Sequence, residues 1–225
     1  AQYKSWYRKP VSGGADELIF DEPAEATGNH YFRLGALEPS PDGKLLATLA
    51  DYDGSERFQL RIRDLATGKD IETITTVGIG QPVWANDSKG VVFTEVNEHW
   101  RSYRARYHRL GAPADEDVTL YEETEELGFS VGIYKTKDKS LVIVSTGDNA
   151  TSEARFVSAD DPSQPLTLIS RRKPLREYHV DAAHGKLWIH TNDDHVNFRL
   201  AVADPADPEK WETVIAGSDR VYLTG

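Results

Sequence analysis

Ser40-Pro41-Asp42-Gly43-Lys44 runs directly into Leu45-Leu46-Ala47-Thr48-Leu49, and this stretch decides the fold because the chain repeats its pattern. Pro, Asp and Gly make a tight turn, and the apolar run after it reads as a strand. Working outward, similar turns are Asn86-Asp87-Ser88-Lys89, Lys137-Asp138-Lys139 and Ala183-His184-Gly185-Lys186. Their lysines, at 44, 89, 139 and 186, lie 45, 50 and 47 residues apart. Short apolar runs follow at 91–93, 141–144 and 187–189.

A second feature keeps the same period. After the polar Ser55-Glu56, residues Phe58, Leu60 and Ile62 alternate with Gln59, Arg61 and Arg63, the two-residue period of a strand with one buried face. Copies start near Ser102, Ser152 and Asn197, and fourth strands are expected at 71–74, 118–121, 166–169 and 211–215. Helical periodicity is absent, and 122–127 has room for one turn at most. A recurring unit of four short strands predicts an all-β fold, a β-propeller of four-stranded antiparallel blades, over a β-sandwich. The expected complete blades are 34–77, 81–124, 129–172 and 177–217. Residues 1–33 read as the end of an incomplete first blade plus a connection, and 218–225 as the start of the next. Remnants at both ends predict part of a larger ring, whose open faces would associate or be covered.

Composition narrows the function. Lys and Arg number 26 against 37 Asp and Glu, a net charge of −11, which argues against a nucleic-acid partner. Apolar runs such as Leu141-Val142-Ile143-Val144 fall far short of the roughly 20 residues a bilayer needs, so no membrane partner is expected. With no cysteine, thiolate metal sites, disulfides and cysteine nucleophiles are excluded, and a reducing, cytoplasmic setting fits. No signal peptide is visible in Ala1-Gln2-Tyr3-Lys4-Ser5-Trp6.

A resemblance then emerges from Tyr31-Phe32-Arg33-Leu34-Gly35, Ser40-Pro41-Asp42-Gly43-Lys44, Asp53-Gly54-Ser55-Glu56-Arg57, Val83-Trp84-Ala85-Asn86-Asp87-Ser88, His108-Arg109-Leu110-Gly111, Thr151-Ser152-Glu153-Ala154-Arg155 and Asn197-Phe198-Arg199-Leu200. In order and spacing they resemble the N-terminal propeller of the prolyl oligopeptidase family of serine peptidases, in its oligopeptidase B (protease II) branch. The resemblance implies a seven-bladed ring stacked on a C-terminal α/β-hydrolase domain of the same parent chain, a domain absent from these 225 residues. It implies that the ring gates access by size, that the parent cleaves short basic peptides after Arg or Lys, and that this segment has no catalytic residues or cofactor. The rival reading is a stand-alone propeller that binds a protein or ligand.

Gly128-Phe129-Ser130-Val131-Gly132 matches G-x-S-x-G, but a nucleophile elbow needs a helix after the serine, and here a strand continues. His184, His190 and His195 lack the spacing of a metal site and read as structural. The loop Asn97-Glu98-His99-Trp100-Arg101 is rich in recognition side chains. The family's matching loop lies near the domain interface, which makes Glu98 a candidate for a substrate cation or partner arginine and Arg101 for a carboxylate. The resemblance also makes Arg63 a candidate inter-domain ion-pair partner. Trp84, Trp188 and Trp211 are expected in the inter-blade core. The acidic run 122–126 and the basic Arg171-Arg172-Lys173 are expected to be solvated. The net negative charge would concentrate cationic peptides.

Overall fold

The apolar runs of the repeat become strands covered on both faces. The computed structural model describes residues 2–78 and 80–224. A hairpin of β1 (Ser5–Arg8) and β2 (Glu17–Asp21) comes first, followed by a short helix, α1 (Glu22–Ala26). The first blade is β3 (Arg33–Pro39), β4 (Leu45–Asp51), β5 (Phe58–Asp64) and β6 (Lys69–Val77). The second is β7 (Val83–Trp84), β8 (Gly90–Val96), β9 (Ser102–Arg109) and β10 (Val118–Glu122). The third is β11 (Ser130–Lys135), β12 (Leu141–Gly147), β13 (Ser152–Ser158) and β14 (Thr167–Ser170). The fourth is β15 (Tyr178–Ala183), β16 (Lys186–Thr191), β17 (Arg199–Asp204) and β18 (Asp207–Ile215).

Each blade is an antiparallel meander in sequence order, and pairing of Val77 with Glu95 joins the first two into one continuous sheet. These are propeller blades, and among the described residues no strand pairs the fourth blade with the first. Second strands lie between neighbouring blades, which explains their unbroken apolar character. On β4, Leu46 and Ala50 face the hairpin with Ile19, Phe20 and Phe32, while Ala47 and Leu49 face the second blade. On β8, Val91 and Phe93 point back to the first blade and Val92 forward to the third. On β12, Ile143 packs toward the fourth blade and Val142 toward the second. Burying each such side chain contributes about 1.5–3 kcal/mol, so the blade interfaces supply much of the stability.

The turns between first and second strands repeat one hydrogen-bond scheme. The Ser40 hydroxyl and the Lys44 amide donate to Asp42 at 2.6 and 3.0 Å; Thr136 and Ser140 treat Asp138 the same way. Gly43, Ser88 and Lys139 sit at φ 70°, 61° and 63°, the left-handed conformation this turn demands. Successive turns also bond to each other. Ser88 Oγ accepts from the Asp42 amide, Asn86 donates to the Lys139 carbonyl, and Asp181 accepts from the Lys137 amide.

Three local differences from the sequence expectations appear. The helix α1 and a 3-10 turn at Ala114–Glu116 lie in connections too short for periodicity to reveal. Residues 122–127 form no helix; their backbone is organised instead by a buried carboxylate, described below. Val221, expected to open a further strand, pairs only with Ser218 in an isolated bridge. Ala1 and Gly225, the outer limits of the expected end segments, lie outside the described residues.

Candidate functional site

In a meander the loops alternate between the two ends of the blade. Loops joining second to third strands therefore share one face of the ring with the connections between blades. Contacts confirm this: the Trp100 indole donates to the Ser55 carbonyl at 2.8 Å and Arg101 Nη1 to the Gly128 carbonyl at 2.8 Å. An Asp or Asn anchors the loop in each of the first three blades. Asp51 accepts from the amides of Asp53, Gly54 and Glu56; Asn97 from His99 and Arg101; Asp148 from Ala150 and Thr151. These carboxylates and amides replace backbone bonds that a short loop cannot make for itself.

The anchored face presents unusual side chains. Trp100, Leu127, Leu175 and Val196 are 56%, 86%, 76% and 77% exposed, and Tyr31 lies on the same face. The first blade contributes none of these between its strands, but the connections and loops from Tyr31 onward place one large apolar residue at intervals around the ring. Glu98 stands among them with its carboxylate almost fully exposed, 3.5 Å from the His99 ring. Arg101 is tied by its backbone to Asn97 and by one guanidinium nitrogen to the neighbouring connection. Arg57 stacks over the Trp100 ring at 5.2 Å.

Arg63 is placed differently. Its guanidinium donates to Asp70 at 2.6 Å and Glu25 at 2.8 Å and packs 5.4 Å from the Phe20 ring centre. Its side chain is only 16% exposed, so its charge is committed between α1 and the first blade rather than held out to a partner. The structure does not bring Arg63 together with Glu98 and Arg101, because β5 directs it onto the α1 contact.

The two charge runs are solvated as expected except for one member of each, Glu123 and Arg172. Glu123 is buried and accepts hydrogen bonds from Tyr121, Thr146, Arg172 and the amides of Glu125 and Glu126. Burial pushes its carboxyl up, but the bonds from Arg172, Tyr121, Glu126 and Thr146 outweigh that and lower it from 4.5 to about 2. Arg172 meets Glu123 at 2.7 Å and Glu153 at 3.4 Å while stacking on Phe129. Glu123 and Arg172 thus lock the second blade to the third beneath the exposed face. In sequence, each was hidden inside a run of like charges.

Trp84 is buried and donates to the Glu38 carbonyl of the preceding blade, as expected for inter-blade core. Trp211 packs against the core shared by the third and fourth blades, edge-on to Tyr178 of its own blade, whereas Trp188 donates to the Ala183 carbonyl within its own blade. Ser130 opens β11 and no helix follows. Asp181 bonds to Lys137 beyond the far end of that strand, about 17 Å of extended chain from Ser130, so the serine has no triad there. His190 stacks on Phe198, and His195 bonds Asp219. Among the described residues no group of three or more His, Asp or Glu is arranged to hold a metal. Among them, too, no helix is long and apolar enough to cross a membrane.

An open run of four-stranded antiparallel blades with loops anchored on one face defines a propeller domain. The chain belongs to the family described as prolyl oligopeptidase, N-terminal beta-propeller domain, which matches residues 1–225. It is 28% identical to dipeptidyl aminopeptidase BI of Pseudoxanthomonas mexicana, over 93% of this chain and 29% of the relative. It is 27% identical to Protease 2 of Moraxella lacunata, over 99% and 33%. The chain therefore spans about a third of the length of these relatives. Its fold is shared with oligopeptidase B from Leishmania major, at TM-score 0.92 and 23% identity over 99% of this chain and 32% of that one. Oligopeptidase B from Trypanosoma brucei with covalently bound antipain, in its closed form, superposes at TM-score 0.86 and 24% identity, over 97% and 31%.

Proposed function

We propose that this propeller is the gating element of a serine oligopeptidase that cleaves short peptides after Arg or Lys, docked on a C-terminal α/β-hydrolase domain of the same polypeptide. The observation that carries the reading is the anchored loop face, where Trp100, Leu127, Leu175 and Val196 stand exposed in successive blades. Exposed apolar side chains repeated around one face favour a covering partner. The same face carries the inter-blade connections, so a domain spliced into the ring at a blade boundary would emerge there. Arg101 would face a carboxylate of that domain. The exposed carboxylate of Glu98 would meet either a substrate cation or a partner arginine, and the net charge of −11 would draw basic peptides toward the gate. Arg63 would serve indirectly, holding α1 against the first blade.

The test is hydrolysis by the whole polypeptide that carries this propeller. A short Arg-containing fluorogenic peptide should be cleaved, a serine-directed reagent should abolish cleavage, and an unfolded protein with the same Arg site should resist. Equal cleavage of the protein substrate would sink the gating role. Cleavage of a neutral peptide as fast as the Arg peptide would remove the basic preference.

A further inference from the structure

The opposite face of the ring holds a second feature that the docking role does not use. First strands line the axis of a propeller, and here β3, β7 and β11 enclose a groove of about 540 Å³. It lies at the end of the strands that carries the turns of Ser40, Asn86 and Lys139, away from Glu98. Its lining includes Pro39, Val83 and Trp84.

Two opposite charges line this groove, and neither is in an ion pair among the described residues. Glu38 accepts only the Gln81 amide, at 2.7 Å, and makes no ion pair among the described residues. Burial raises its carboxyl above the ordinary range. Lys135 donates to the Asn86 amide oxygen at 2.9 Å and likewise forms no ion pair among the described residues. Burial, with Lys139 nearby, lowers its ammonium, against an opposing pull from Asp160. Charges half-withdrawn from water with only neutral amides as partners gain from a ligand that brings the missing counter-charges. The second blade lies between the two: Trp84 bonds the backbone of Glu38, and Asn86, two residues on, bonds Lys135. A short ligand carrying one charge of each sign would therefore answer both residues of the one groove.

We propose that this groove binds short peptides by their free termini, the α-ammonium against Glu38 and the α-carboxylate against Lys135 with Lys139 beside it. The side chains between would rest on Trp84 and the prolines, so recognition would be indifferent to sequence. The site is separate from the loop face and needs no catalytic domain.

Trialanine, titrated into the 225-residue protein, tests it, with the Trp84 indole N–H resonance as reporter. Saturable binding is expected, and N-acetyl-trialanine and trialanine amide should each bind about tenfold more weakly, the loss of one charged contact. Glu38→Gln keeps the Gln81 contact and should make binding insensitive to N-acetylation while amidation still weakens it. Lys135→Gln should do the reverse. Circular dichroism and retained Trp84 chemical shift establish that each variant is folded, and the derivatised peptides on the unaltered protein provide a readout that needs no variant. Absence of saturable binding to the unaltered protein would overturn the proposal. So would binding that ignores the blocking groups, or variants that respond to both blocks as the parent does.

Discussion

Glu123 shows how a single side chain can be misplaced by its neighbours in sequence. It sits among Glu122, Glu125 and Glu126, yet it alone turns inward, where five donors hold it ionised. Its pKa falls from 4.5 to about 2 on folding, so the folded state binds fewer protons than the unfolded state between those values. The stability it contributes is fully present above pH 4.5 and is lost as pH falls toward 2. That contribution is at most about 3 kcal/mol from a shift of this size. Denaturant unfolding measured from pH 6 to pH 2.5 should show this loss, and Glu123→Gln should flatten the slope over the same interval. An unchanged slope in the variant would mean other carboxylates control acid unfolding. Removing Arg172 instead leaves Glu123 and Glu153 without their shared cation, and Arg172→Met should cost about 3–5 kcal/mol in the same assay at neutral pH.

Elements are held in place by polar side chains at their ends. Asp51 is fully buried at the end of β4 and accepts three amides of the loop before β5. Asp51→Ala would leave those donors unpaired, at about 1–3 kcal/mol, and loosen the loop. Hydrogen exchange should quicken at residues 53–56 while β12 stays protected; uniform quickening would signal global destabilisation instead. Between elements, His108 on β9 lies 2.6 Å from Glu72 of the first blade and 2.6 Å from Asp117 of the second. His108→Ala would leave two carboxylates facing an empty buried site. It should destabilise the protein by about 3–5 kcal/mol, read as a lower denaturation midpoint.

At the scale of the molecule, stability resides in the seams between blades. Phe93 is 1% exposed and crosses the first seam into a core with Phe58, Leu60 and Trp84. Phe93→Ala should cost about 3–5 kcal/mol. If blades unfolded independently, the loss would be confined to the second blade, and two transitions would replace one. The loop face makes the opposite prediction. Leu127→Asp with Leu175→Asp should leave the stability of the propeller within about 0.5 kcal/mol, since both side chains are exposed. If this face docks a catalytic domain as proposed, the pair should, in the whole polypeptide, weaken that docking and let longer peptides be cleaved. Peptidase activity unchanged for every substrate length would place the docking surface elsewhere.

How much of this was legible beforehand depends on the range of the interaction. The sequence alone determined the strands, their order and the repeating unit. Turns such as Ser40-Pro41-Asp42-Gly43-Lys44 and the alternation along Phe58-Gln59-Leu60-Arg61-Ile62-Arg63 are local, set by backbone preference and two-residue periodicity. It also placed Ser130 in a strand, which separates it from a nucleophile elbow. Only the tertiary structure decided which charges are buried. Glu123 and Arg172 are 49 residues apart, and Arg63 and Glu25 are 38 apart, so nothing nearby in the chain marks either pair. The same holds for Glu38 and Lys135, each bonded to a neutral amide. Their environment is created by the packing of three first strands from different blades, and desolvation is a property of that assembly rather than of any segment.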